Sequence, residues 1–421
     1  MNEIYIIGAG LGAGSITADA AEALSGSNAV FGAQRLLGEY KAFIKDVPVF
    51  AQYAADGILP VIKGETADGS SAGAGAASAA EDNGKADQLR RYSVLVSGDP
   101  GFYSAALKLR EAFTEEGLIV KIIPGISSVS AMFAAIGLPW QDAALCSFHG
   151  RDVNAAEYVR RNRLTFFLTG KNTAELSLRL CSAGFGDIRL YVGEDLGSDK
   201  QNVFCCTASE LKDKALSSLC VVVAENPAPD ASVQTGIDDS CFARGDVPMT
   251  KSEVRAVLMS KLHLRPEMVC ADIGCGSGSC TVEMALSAWM GMVYAIDPNP
   301  EAVALTKENL KRFHIGNTEV MLGTAPDDIK DIPPLDAAFI GGSKGHMDGI
   351  INEILGKNPD CRIVVSAIAL QTLSSAMEAF KGAGINAEIV QIQSSASKQV
   401  GGLDMMMARN PIYLISGGGR L

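Results

Sequence analysis

Residues Ala271-Asp272-Ile273-Gly274-Cys275-Gly276-Ser277-Gly278 follow an apolar run and open an amphipathic segment, and Asp297 ends the next apolar run. Glycines at this spacing let backbone approach a ligand at a helix N-terminus, whose free N–H groups suit a carboxylate. An acid closing the following strand can accept two hydrogen bonds from ribose hydroxyls. Acid, three glycines and second acid fit an S-adenosylmethionine pocket, and therefore methyl transfer. A nicotinamide site also sets a Gly-rich turn before a helix and an acid about 20 residues on. Here Ser279 follows Gly274, Gly276 and Gly278, so the G-x-G-x-x-G register is missing, and Asp272 stands in front of the glycines. The spacing favours S-adenosylmethionine over a dinucleotide.

Such a loop must be held by a scaffold. Short apolar runs alternate with longer amphipathic stretches along 421 residues, which predicts α/β architecture in two domains. After the apolar strand Cys220-Val221-Val222-Val223-Ala224, the Pro/Ser/Gly stretch from Asn226 to Gly236 reads as a linker. The expected units are 1–226 and 236–421, joined by 227–235. Gly64 to Asp87 has almost no large apolar side chain and is expected to be a disordered insertion.

A net charge of −12 argues against general nucleic-acid binding. No apolar run approaches the roughly 18 to 20 residues of a membrane span. Ten scattered cysteines and an N-terminus without a signal-like region predict a reduced, cytoplasmic protein. Cys270, Cys275 and Cys280 fall on a strand, a loop and a helix, with no C-x-x-C pair or nearby His to complete a zinc set, so no metal is expected. If Cys205-Cys206 is extended, at most one of the two is buried.

In the first half, Ile4-Tyr5-Ile6-Ile7 runs into Gly8-Ala9-Gly10-Leu11-Gly12, a buried strand and a glycine turn. Val94-Leu95-Val96 feeds the turn Ser97-Gly98-Asp99-Pro100, and Ile122-Ile123 feeds Pro124-Gly125-Ile126-Ser127-Ser128, a turn and a helix start. Taken singly, each is an ordinary α/β connection. In this order they resemble the tetrapyrrole methylase family, and Leu168-Thr169-Gly170-Lys171 and Val192-Gly193-Glu194-Asp195 extend the likeness to members that methylate C5 of a precorrin ring.

The resemblance implies an N-terminal fold of two α/β subdomains with S-adenosylmethionine between them. It implies cofactor contacts at Gly98, Asp99, Pro100, Ser127 and Ser128, and a substrate trough lined by Gly8, Gly10 and Gly12.

In the second half, Thr250 followed by Glu253 has the pattern of a capping box, so the residues alone make Thr250 a helix N-cap. That segment, the 272–278 loop, Gly323-Thr324-Ala325-Pro326 and Phe339-Ile340-Gly341-Gly342-Ser343 resemble the decarboxylating precorrin methyltransferases that act at C15. A Rossmann-like class I methyltransferase fold is implied, with cofactor contacts at Thr250, Gly274, Cys275, Gly276, Ser277, Gly278, Asp297 and Ala325.

The two halves together imply one cofactor per domain, a precorrin or cobalt-precorrin substrate of cobalamin biosynthesis, methylation at C5 and C15 with loss of the C12 acetate carboxylate, and self-association. No catalytic acid or base is singled out. The macrocycle's carboxylates call for local cations, and Arg151, Arg244, Lys344 and Arg409 adjoin the matched motifs. Two alternatives stay open: a single methyltransferase whose first domain only binds substrate, and a dinucleotide-dependent oxidoreductase.

Overall fold

A computed structural model of the chain describes residues 2–64, 90–148 and 153–419. Gly64 caps the helix Ala55–Lys63; the rest of the expected insertion, 65–87, lies outside the described residues, as does Arg151. Among the described residues the chain forms three larger sheets and one separate hairpin.

The first sheet runs Val49–Phe50, Ala29–Gly32, Arg91–Val96, Glu3–Gly8, Ile119–Ile123, with every neighbour parallel. Its central strands are apolar on both faces because helices cover both. Ile4, Ile6, Phe31 and Val94 fill one side, and Ile7, Val30 and Leu95 the other. The second sheet is mixed, in the order Ala144–Ser147, Leu164–Leu168, Cys220–Glu225, Arg189–Glu194, Asn202–Thr207. On its edge strand Cys205 is exposed and Cys206 buried, as period-two alternation requires.

The third sheet runs Thr318–Leu322, Met292–Asp297, Val269–Ile273, Ala337–Ile340, Arg362–Ala367, Ile412–Gly417, Glu388–Ile392. Its first five strands are parallel, and Ile412–Gly417 is antiparallel to both neighbours. Strand order reverses beside Val269–Ile273, so the helices after it and after Ala337–Ile340 leave on opposite faces and open a crevice at the strand ends. The expected α/β class holds throughout.

The stretch after Asn226 lies along the helix Ala155–Arg161. The Asn226 side chain donates to the Val159 carbonyl at 2.9 Å, and Asp230 N donates to the Arg160 carbonyl at 2.7 Å. Arg160 itself is buried in a two-pronged pair with Glu157, both bonds at 2.7 Å, and reaches Asp230 at 3.5 Å. At the other end Gly236 N and Ile237 N donate to the buried Glu283 carboxylate at 2.8 and 3.0 Å. The connection between the two regions is thus pinned at both ends.

Candidate functional sites

The C-terminal site begins where strand Val269–Ile273 stops. Gly274 has φ +80°, and a Cβ there would sit 2.7 Å from Gly342 N, so both conformation and space demand glycine. Gly274 N donates to Ile296 O at 2.8 Å, Gly276 N to Asp297 Oδ2 at 3.0 Å, and Gly341 N to Ile273 O at 2.8 Å. These bonds lash three adjacent strand ends together around a cavity of about 240 Å3. Its wall includes Gly274, Cys275, Gly276, Asp297, Ala325, Thr250 and Lys344. Ser277 and Gly278 stand behind the wall. Ser277 O accepts from Asn309 at 2.8 Å, and a Cβ on Gly278 would meet Thr306 at 2.8 Å, where helices Ser279–Ser287 and Pro300–Arg312 press together.

Asp297 carries two duties in the fold. Oδ2 takes the Gly276 N–H, and Oδ1 takes the Asn299 N–H at 2.9 Å, which forms the turn at Pro298. Behind the glycines, Asp272 is wholly buried. Its Oδ2 accepts from Thr281 Oγ1 at 2.5 Å, and its Oδ1 has no hydrogen-bond partner. Burial pushes the Asp272 carboxyl up to about 7; the Thr281 hydroxyl opposes this and the Asp297 charge adds to it. Burial also holds the Cys275 thiol up at about 12, so this residue meets a ligand as backbone and not as a nucleophile.

The residues fit S-adenosylmethionine on their own chemistry. A glycine turn opens onto the N-terminus of a nine-residue helix, where a carboxylate is favoured. Asp297 faces the cavity with acceptor capacity left on each oxygen, and the orphaned Asp272 oxygen lies beneath the turn.

The raised Asp272 carboxyl has a consequence for stability. Between about pH 4 and 7 the folded chain holds a proton that the unfolded chain has released, so this group's contribution is full below its unfolded pKa and is lost as pH rises through about 7. Asp272→Asn does not titrate. Its unfolding free energy relative to wild type is expected to rise from pH 4 to 7 and to level off above. Denaturant unfolding of both proteins across that range checks this, and a flat difference contradicts it.

Thr250 does not cap a helix. Helix Ser252–Leu262 starts from Lys251 with no side-chain cap. The helix begins one residue later than a Thr250 capping box requires, and Glu253 pairs with Arg409; Thr250 is held through its carbonyl, which accepts from Arg255. Arg255 and Glu283 are both fully buried and joined at 2.7 Å, and Arg255 also reaches Asp239 at 3.0 Å and the Ile237 carbonyl. This clamp holds segment 236–250 against the domain, and Pro248 and Thr250 from that segment form part of the cavity wall.

The N-terminal site lies between the first two sheets. Gly10 and Gly98 exchange backbone bonds at 3.1 and 3.2 Å. Asp99 ties its own loop to the next one, accepting from Gly101 N at 2.8 Å and Gly125 N at 3.1 Å. A Cβ on Gly8 would lie 2.5 Å from Gly125 N, so the three loops meet too closely for any side chain there. The cavity, about 440 Å3, is walled by Gly10, Gly12, Gly98, Asp99 and Ser128 from one side and by Leu168, Gly193 and Val221 from the other. Gly8, Pro100 and Ser127 shape the loops without lining it; the Ser127 hydroxyl caps helix Ser128–Ile136 by accepting from Ser130 N at 3.2 Å.

Among the four cationic candidates, Lys344 lines the C-terminal cavity. Arg244 is turned to Asp239 at 3.8 Å and Arg409 to Glu253, and neither is in the wall of these two cavities. Sequence reasoning missed Arg35, Glu39 and Tyr40 on the N-terminal wall. Arg35 bonds Glu39 at 3.2 Å, and the Tyr40 hydroxyl donates to Ala9 O, with burial pushing that phenol up to about 12. No spacing signal marks these residues; they arrive because the strand before them, Ala29–Gly32, borders Arg91–Val96.

Residues 240–416 match the family described as the precorrin methyltransferase domain, and residues 3–212 match the tetrapyrrole (corrin/porphyrin) methylases. A Pyrobaculum calidifontis protein described as a probable cobalt-precorrin-6B C(15)-methyltransferase (decarboxylating) is 39% identical over 184 residues, 43% of this chain and 94% of that protein. A Saccharolobus solfataricus protein of the same description is 40% identical over 190 residues, with the same coverage. The crystal structure of a Geobacter metallireducens protein described as precorrin-6y C5,15-methyltransferase is 34% identical, covers 44% of this chain and 96% of its own, and superposes with a TM-score of 0.42.

Proposed function

Because the chain belongs to the precorrin methyltransferase domain family through residues 240–416 and to the tetrapyrrole methylases through residues 3–212, we propose that it methylates one precorrin macrocycle at two sites. It is a methyltransferase, and methyltransferases of this family use S-adenosylmethionine. In our reading units 1–226 and 236–421 each bind one cofactor. The first methylates C5, and the second methylates C15 with loss of the C12 acetate carboxylate. The observation that carries this reading is the presence of two separate glycine-lined cavities, one between the first two sheets and one at the strand ends of the third.

S-adenosylmethionine, when bound, supplies an electrophilic methyl on a sulfonium, so the protein's task is to hold a nucleophilic ring carbon in line with it and to exclude water. In the second unit the Gly274–Gly276 turn and Asp297 would hold the cofactor, with Thr250 and Ala325 beside it. In the first, Gly98, Asp99 and Ser128 would do so, and Gly10 and Gly12 would face the macrocycle. Among the described residues Arg35 and Lys344 are the Lys or Arg side chains in the two walls and would meet its carboxylates.

Titration of the full chain with S-adenosylmethionine should give two equivalents bound, and one after Asp297→Ala. A single equivalent in the wild type would favour the alternative in which the first unit only binds substrate.

Among the described residues no helix is long and apolar enough to cross a membrane, and we read the protein as cytoplasmic. We also propose self-association through the hairpin Ser395–Val400 and Leu403–Ala408. This hairpin pairs only with itself and exposes Leu403 at 70% and Met406 at 66%. Leu403→Lys combined with Met406→Lys should yield a smaller species in sedimentation; an unchanged mass would count against this interface.

A further inference from the structure

The two units touch at the ends farthest from their cavities. In the C-terminal unit, helix Ser279–Ser287 starts at the cavity, with Ser279 and Cys280 in its wall, and runs away from it. Just past its far end, the Trp289 carbonyl accepts from the Asn154 side chain at 3.0 Å, and the Trp289 ring meets Tyr158 edge-on with centroids 5.9 Å apart. Helix Pro300–Arg312 likewise starts beside Asp297 and ends near His314, which stacks on Phe185 at 4.2 Å and bonds the Ala183 carbonyl at 3.0 Å.

The N-terminal unit repeats the arrangement. Its cavity takes Leu168, Gly193 and Val221, all at one end of their strands. Ala183 to Phe185 precede the opposite end, where strand Arg189–Glu194 begins. A strand of this length spans about 17 Å, so each cavity is set back from the interface by about that much. The interface itself is closed. A Cβ on Gly184 would lie 2.8 Å from Lys311 O, and one on Gly316 would lie 2.8 Å from Ala156 Cβ.

We infer that a macrocycle methylated at one site leaves the chain that made it before it enters the other, because among the described residues the cavities lie at the far ends of the two units and the contact between the units is closed. The inference rests on the two-site reading above. It also fixes what the second site must recognise: a singly methylated macrocycle arriving from outside, by the same cavity mouth a free ligand would use.

The test uses two full-length variants, Asp99→Ala in the N-terminal site and Asp297→Ala in the C-terminal site, with the macrocycle and with S-adenosylmethionine held low enough that the altered site is silent. The variant that keeps the earlier-acting site should stop at a singly methylated compound, and an equal mixture of the two variants should form the doubly methylated product after a lag, at about half the wild-type rate per total chain. A mixture that never forms it, while one variant accumulates the singly methylated compound and the other still methylates that compound when it is supplied, overturns the proposal.

Wild-type protein gives a check independent of variant folding. Turnover with isotopically labelled cofactor, in the presence of excess unlabelled singly methylated compound, should dilute the label at the first-added methyl of the product. Undiluted label overturns the proposal. A wild-type chain that adds only one methyl shows instead that the two-site reading fails, and the proposal falls with it.

Discussion

Arg255→Ala is expected to cost the C-terminal unit about 3–5 kcal/mol, the range for removing one partner of a buried ion pair. The substitution leaves Glu283 fully buried without its cation, and it strips a donor from Asp239 and from the carbonyls of Ile237 and Thr250. The Phe242 ring also loses the guanidinium that lies 4.8 Å from its centroid. Glu283 would still hold Gly236 N and Ile237 N, so the damage should spread along 236–250 toward Pro248 and Thr250. Cofactor affinity should therefore fall in molecules that remain folded. Arg255→Lys keeps a charge but loses the planar fork, and its cost should lie between wild type and alanine. Denaturant unfolding measures these costs, and a loss below about 1 kcal/mol would place the clamp among interactions of ordinary strength.

Asp297→Ala should weaken S-adenosylmethionine binding at the second site by roughly ten- to a hundredfold, because hydrogen bonds to a charged acceptor contribute about 1.5–3 kcal/mol. C15 methylation and decarboxylation should then fail together at limiting cofactor, while C5 methylation continues. The same carboxylate also accepts from Gly276 N and Asn299 N, so a purely structural role makes a different forecast: lower stability with unchanged affinity in the folded fraction. Asp297→Asn separates the two, since it keeps an acceptor for the turn but removes the charge. Calorimetric titration of the full-length proteins decides between them, and equal affinities for wild type and alanine variant would end the assignment.

Much of this scaffold was legible from local chemistry. Apolar runs such as Ile4–Ile7 and Val221–Val223 are strands buried on both faces, and the alternation at Cys205-Cys206 reads directly as one side out and one side in. The acid and glycines at 272–278 announced a turn between strand and helix, which is what 269–287 forms.

What the sequence concealed depends on partners distant along the chain. Thr250 and Glu253 carry a capping pattern, yet the helix starts from Lys251, Arg255 holds the Thr250 carbonyl and Arg409 takes the Glu253 carboxylate. Arg244 and Arg409 adjoin cofactor motifs and still turn to acids elsewhere. Arg35 lies in no motif and reaches a cavity wall because parallel strand order brings Ala29–Gly32 beside Arg91–Val96. The interface between the units is equally silent, since Gly184, His314 and Gly316 show no periodicity that would mark them as contact residues.

One chain, in this reading, carries two methyl transfers to one macrocycle. Mass spectrometry of the product tests it most directly, using the purified full-length chain with S-adenosylmethionine and precorrin-6B or cobalt-precorrin-6B. The expected product has gained two methyl groups and lost one carbon dioxide. A product with a single added methyl, from a chain whose two cavities are both intact, would contradict it.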